Sequence, residues 1–160
     1  MLDKEYSLCY AEMQDIDNWI KMIEVVKDNF PGLETTKKMN EYKKTVIKNI
    51  EKKTALCVKF SNEIVGIMLF SYNYRCLSCM AVHPDHRRKG VASAMIEKML
   101  ELFPRDVDIS VITYRENDVK GTAPRALYKK YGFEEAELVV EFEYPEQKFI
   151  RRAKNEDCTN

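Results

Sequence analysis

The chain has 160 residues, with 26 Lys and Arg balancing 26 Asp and Glu for a formal net charge of zero; one domain is expected at this length, burying roughly two thirds of the unfolded chain's surface. The charge balance argues against a nucleic-acid binder, whose affinity rests on a basic excess facing phosphates. No apolar run reaches the length of a membrane span, and the N-terminus lacks the layout of a signal peptide, so a cytoplasmic protein is expected.

Residues 5–11 read as a first strand. Residues 16–30 carry Trp19, Ile20, Ile23 and Val26 on one face at helical spacing, and Pro31-Gly32 ends that helix. Residues 40–53 read as a second helix, capped by Asn40 and turning Tyr42, Val46 and Ile50 inward. Residues 55–60 and 64–72 form a hairpin through Ser61-Asn62-Glu63, and residues 75–82 give the next strand. Cys76 and Cys79 make a Cys-x-x-Cys inside that strand, where residues three apart point to opposite faces. No second pair follows, so neither zinc nor redox use is expected. The five cysteines, an odd number, fit a reducing compartment better than a disulfide framework.

Beyond Pro84, with His83 and His86 beside it as solvent or phosphate contacts, three cations, Arg87, Arg88 and Lys89, stand directly against Gly90 and a helix over residues 90–103. Val91, Met95, Met99 and Leu102 mark the buried face of that helix, and Pro104 stops it. Cations at a helix start oppose the macrodipole, and no Ser, Thr, Asp or Asn precedes Gly90 to cap the free N–H groups. A local rule broken this openly marks a candidate site. An anionic ligand resolves it, because a bare helix N-terminus binds phosphate and Arg and Lys can close around the same oxygens. A solvated basic turn is the competing reading. A P-loop is excluded, since Lys89 precedes Gly90 and no second glycine is near, and a Gly-x-Gly-x-x-Gly fingerprint is absent.

Residues 108–114 read as a strand, 124–131 as a short helix with Pro124 in its first turn and Gly132 at its stop, and 133–144 as a long strand. Tyr144-Pro145-Glu146 is expected to turn into a last strand over 147–151, and the polar end, residues 154–160, to fray. Helices and strands in this order make an α/β arrangement.

The run Arg87-x-x-Gly90-x-Ala92, preceded by Val82-x-Pro84, resembles the acetyl-CoA-binding signature of the GNAT superfamily of N-acetyltransferases, Gln/Arg-x-x-Gly-x-Gly/Ala. A second block, residues 123–133, ends Leu-Tyr-x-x-x-Gly-Phe and is similar to another signature of that family. The element order matches as well, so the resemblance covers nearly the whole chain. It implies a single-domain acyl-CoA N-acyltransferase fold over residues 1–153, with a mixed, mostly antiparallel central sheet flanked by helices. It also implies transfer of an acetyl group from acetyl-CoA to a primary amine by direct attack in a ternary complex. Donor contacts would come from Met80, Ala81 and Val82, from Arg87, Arg88, Lys89 and Gly90, and from Val91, Ala92 and Ser93. The acceptor would be a small-molecule or peptide amine, with no metal, nucleic acid or membrane involved and the chain a monomer or homodimer. A catalytically idle acyl-CoA sensor on the same fold is the alternative.

Within the second block, the resemblance implies that Tyr128 protonates the departing thiolate. The chemistry is reasonable, because a phenol with a pKa near ~10 stays protonated at neutral pH and a positioned donor helps expel a thiolate. Read from the residues alone, Tyr128 is an aromatic filling a groove between helix and sheet. Two departures from the family pattern stand out. Where many relatives place an asparagine, seven residues before the tyrosine, this chain has Gly121, leaving Asn117 as the nearest residue to take over a donor contact. The strand over residues 75–82 has no carboxylate and that over 108–114 only Asp108, at its start, so the general base falls to Glu116, as the tentative choice, to Asp118 or to a water chain. Acceptor choice is expected from residues 30–34, where Glu34 could attract a cation, and from residues 72–74.

Overall fold

In the computed structural model, which describes residues 2–154, the apolar runs become strands β1 (Tyr6–Tyr10), β2 (Ala55–Phe60), β3 (Glu63–Ser71), β4 (Cys76–Val82), β5 (Ile109–Tyr114), β6 (Phe133–Glu141) and β7 (Tyr144–Arg151). Their order in the sheet is β1-β2-β3-β4-β5-β7-β6. The β1–β2, β2–β3, β5–β7 and β6–β7 pairs are antiparallel, and β4–β5 is parallel. Helices α1 (Ile16–Val26), α2 (Thr36–Glu51), α3 (Val91–Leu102) and α4 (Thr122–Lys130) complete the expected α/β fold.

The chain forms two compact units, with residues 79–82 of β4 in the first and 76–78 in the second. In the first, strands β2 and β3 are buried on both faces, which accounts for the unbroken apolar run in β3. Ala55, Cys57, Ile67 and Leu69 join Trp19, Met22, Ile23 and Val26 of α1 and Val46 and Ile50 of α2 in one core. On the opposite face, a Cβ placed on Gly66 would meet Val91 Cγ1 of α3 at 2.5 Å and Met95 Cε at 3.2 Å. Gly66 therefore sets how closely α3 approaches β3. In the second unit β7 lies between β5 and β6, with Val111 opposite Phe149 and Thr113 opposite Gln147. Arg125 and Tyr128 of α4 pack over that face, on Phe149.

Three expectations need correction. The second helix is capped by Thr35, whose extended backbone lets Oγ1 accept from the Lys38 N–H at 3.1 Å, while Asn40 lies inside the helix and is exposed. Helix α1 stops at Val26, and a 3-10 turn, Lys27–Asn29, covers the remaining residues before Pro31. The last hairpin turns at Phe142-Glu143, both left-handed (φ 51° and 62°), instead of at Tyr144-Pro145-Glu146. Pro145 is accommodated in β7 because Glu141 and Tyr144 close the hairpin, so its missing N–H faces outward from β6. On that side β5 has already ended, its last residue Tyr114 pairing with Glu146. Of the expected frayed tail, residues 155–160, including Cys158, lie outside the described residues.

Candidate active site

In the first unit, Met80, Ala81 and Val82 are half-buried at the end of β4. The His83 N–H donates to the Val65 carbonyl of β3 at 2.8 Å, and His83 Nδ1 accepts from the Asp85 N–H at 3.1 Å, opening a short 3-10 turn, Pro84–His86. Arg87 is extended (φ −73°, ψ 155°), Arg88 is left-handed at φ 62° and Gly90 at φ 81°. A left-handed non-glycine residue is uncommon, and such strain clusters at ligand sites; at Gly90 the same conformation is free of that cost. Helix α3 then begins at Val91, which is buried, with Ala92 and Ser93 half-buried behind it. Arg87, Arg88, Lys89 and Gly90 are all exposed, and among the described residues no carboxylate pairs with the three cations. Three exposed cations thus stand at the start of α3, whose first N–H groups have no partner within the helix, and that combination is the chemistry of a phosphate site.

A cleft of about 660 Å³ lies against this turn, lined by Asp3, Glu5, Tyr6, Phe60, Asp85, His86, Arg88, Lys89 and Gly90. Tyr6, Phe60 and His86 pack together, with ring centroids 5.0 and 4.9 Å apart along the row, and the Tyr6 hydroxyl is 2.9 Å from His86 Nδ1. Flat aromatic walls beside exposed cations suit a ligand that joins a ring to phosphate. His86 serves as part of that wall.

In the second unit, Tyr128 is 5% exposed, its ring edge-on to Phe133 at 5.8 Å and to Phe149 at 6.4 Å. Beside it Arg125 is buried: it donates to the Tyr114 carbonyl (2.9 Å), to Gln147 Oε1 (2.8 Å) and to Glu135 Oε1 (2.6 Å), and lies 4.8 Å over the Phe149 ring. Sequence reading passed over this arginine, which pins α4 to β5, β6 and β7. Gly121 explains its own departure from the family pattern. A Cβ there would stand 2.8 Å from Tyr114 Cβ and 3.2 Å from the Arg115 carbonyl, so an asparagine side chain has no room.

The opposite face of β5 and β7 carries Tyr114 and Glu146, directly paired, with Tyr144 edge-on to Tyr114 at 5.8 Å. Glu146 is 8% exposed. Its backbone carbonyl accepts from Arg115 Nε at 3.0 Å, but its carboxylate has no salt bridge or hydrogen-bond donor among the described residues. Burial, with the Glu141 charge adding to it, pushes the Glu146 carboxyl up to about 7. Burial foremost, then the charges of Tyr144, Glu146 and Asp118, raises Tyr114 to about 12. Asp118 accepts from the Tyr144 hydroxyl at 2.5 Å, which holds its carboxyl below the usual range and raises Tyr144. Glu116 and Asn117 are exposed on the loop that follows β5.

Glu34 is occupied locally, accepting from the Gly32 N–H at 2.8 Å and pairing with Lys38 at 3.2 Å; the Gly32 hydrogen bond is the main reason its carboxyl is lowered. Tyr74 is 83% exposed, and the Tyr72 ring packs tilted against Phe103. Cys79 sits by the Tyr42 hydroxyl at 3.6 Å, burial pushing its thiol up to about 11, while Cys76 lies by Ser78. Among the described residues no group of three or more His, Cys, Asp or Glu side chains is placed to hold a metal ion.

A mixed sheet with this strand order, with a basic turn between β4 and α3, defines an acyltransferase-type fold. A family model described as an acetyltransferase (GNAT) domain matches residues 51–135, more than half of the chain, and the chain belongs to that family. Solved structures of the same fold include a GNAT-family acetyltransferase from Bacillus cereus ATCC 10987 (TM-score 0.70, 21% identity, covering 94% of this chain and 99% of that one). Ard1 from Thermoplasma volcanium is similar at TM-score 0.71 and 18% identity, covering 94% and 99% of the two chains. The PaiA N-acetyltransferase of Thermoplasma acidophilum, solved in complex with coenzyme A, matches at TM-score 0.70 and 12% identity over 92% and 98%. No curated protein sequence matches the chain.

Proposed function

We propose that this GNAT-family chain is an acetyl-CoA-dependent N-acetyltransferase that acetylates a primary amine by direct attack in a ternary complex. The observation that carries the reading is the turn before α3, where a left-handed Arg88 and Gly90 present three exposed cations at the start of a helix. Arg87, Arg88, Lys89 and the first N–H groups of α3 would neutralise the donor's phosphates. Gly90, Val91, Ala92 and Ser93 would let them approach, and Met80, Ala81 and Val82 would line the donor. The coenzyme A in the PaiA structure supports a donor of that type. When bound, acetyl-CoA supplies an acetyl group activated as a thioester.

Tyr128 is the proposed general acid for the leaving sulfur, Asn117 a further donor contact, and Glu116 the base candidate offered by the sequence. A cytoplasmic setting belongs to the same proposal; among the described residues no helix is long and apolar enough to cross a membrane. The test is release of free thiol from acetyl-CoA across a panel of amines, with the acetylated product identified by mass. Amine-dependent release supports the reading. Coenzyme A binding with no release for any amine would make the chain an acyl-CoA sensor and overturn it.

A further inference from the structure

The function proposed above needs a group to take a proton from the incoming amine, which is an ammonium ion at neutral pH. Neither expected loop acid is well set for this. Asp118 is committed to Tyr144, and Glu116 is exposed to solvent on the loop after β5.

We propose that Glu146, between Tyr114 and Tyr144 on the face of β5 and β7 away from α4, receives the acceptor's ammonium group and accepts its proton. This rests on the N-acetyltransferase reading. Three features of the structure support it. Glu146 is nearly buried, yet no described residue donates to its carboxylate. Among the described residues no fully buried side-chain oxygen lacks a partner, so the unpartnered Glu146 oxygens keep some contact with solvent. Tyr114, its partner across the sheet, and Tyr144, two residues before it in β7, place aromatic rings beside it, a setting that attracts cations.

The charged surroundings are consistent with a cation arriving there. Glu141 of β6 adds negative charge, the Glu146 charge helps raise Tyr114 of β5 and Tyr144 of β7, and Asp118 holds the Tyr144 hydroxyl. The nearby cations are engaged elsewhere. Arg115 donates to the backbone carbonyls of Glu146 and Val139, and Lys148, two residues along β7, faces Glu137 at 4.0 Å. A carboxyl that titrates near neutrality suits a general base at that pH.

The proton balance is simple. The ammonium gives one proton to the Glu146 carboxylate, which passes it to solvent. The freed nitrogen lone pair forms the new C–N bond while the C–S bond breaks and its electrons leave with sulfur. The nitrogen loses a second proton and sulfur gains one, leaving an amide and a thiol.

The test is the pH dependence of kcat/KM for the best amine of the panel. The wild type is expected to rise through an acid limb near pH 7, because the base works only once deprotonated. Glu146→Gln is expected to lose roughly a hundred-fold at pH 7.5 and to lose that limb, its rate now following the amine's own deprotonation. Glu146→Asp should keep the limb and part of the rate. Glu141→Gln should move the limb to lower pH, since one repelling charge is gone. The coenzyme A-induced melting shift should be unchanged in every variant, which separates this role from donor binding. Several outcomes overturn the assignment: a Glu146→Gln profile that keeps the limb, a rate lowered equally at all pH, or a limb that vanishes in Glu116→Gln instead. A wild type that transfers to no amine overturns the acetyltransferase reading itself, and this assignment with it.

Discussion

Arg125 and the cations of the turn before α3 make opposite uses of positive charge. Arg125 is buried and fully engaged, with three oxygens within 2.9 Å and an aromatic ring beneath it. Arg87, Arg88 and Lys89 are exposed and have no carboxylate partner among the described residues. Burying a guanidinium is tolerable only when its hydrogen bonds are satisfied, so Arg125 is read as architecture. Clustering three unpaired cations at a helix start is unfavourable by itself, and a ligand that carries the missing charge explains it. The contrast teaches that pairing, more than charge, separates a structural cation from a binding one.

The largest expected effect breaks the comparison on its structural side. Arg125→Met should cost about 3–5 kcal/mol in chemical denaturation, the scale for removing one member of a buried polar network. Arg88→Ala, by contrast, should stay within about 0.5 kcal/mol. Equal losses would mean that the turn is held by its cations after all. Next comes Tyr128→Phe, which keeps the ring against Phe133 and Phe149 and removes only the hydroxyl. Turnover should fall about a hundred-fold, near 2.7 kcal/mol on the barrier, with the KM for acetyl-CoA little changed. Normal turnover in a folded variant would leave Tyr128 with packing alone. The smallest effect sharpens the comparison with an uncharged device: Thr35→Ala should cost about 1 kcal/mol through the lost cap of α2, and Asn40→Ala much less. Thermal melts of the two variants decide between the caps.

The order of strands and helices was legible because apolar periodicity is a local signal, as in α1 and α3. The basic turn was legible for the same reason, since cations, glycine and helix start are adjacent in the chain. Thr35 escaped notice because the first turn of α2 is polar and hides where the helix begins. The Phe142-Glu143 turn lacks Asn or Gly, and Pro145 drew the expected turn onto itself. Gly121 looked like a lost asparagine until Tyr114 and the Arg115 carbonyl were seen against it. Glu146 was the least legible, since its environment is made by β5, β6 and β7 pairing across long stretches of chain. From sequence it reads as one more turn acid.

The most direct measurement of the central claim, that the turn before α3 holds the donor's phosphates, is the melting shift on adding coenzyme A to wild type and to Gly90→Val, each taken from its own unliganded melt. At a hundred times its dissociation constant, coenzyme A should stabilise the wild type by about 2.7 kcal/mol. Gly90→Val should lose most of that shift, because its branched side chain disfavours φ 81° and stands between backbone and phosphate. A full shift in Gly90→Val would place the phosphates elsewhere and contradict the account.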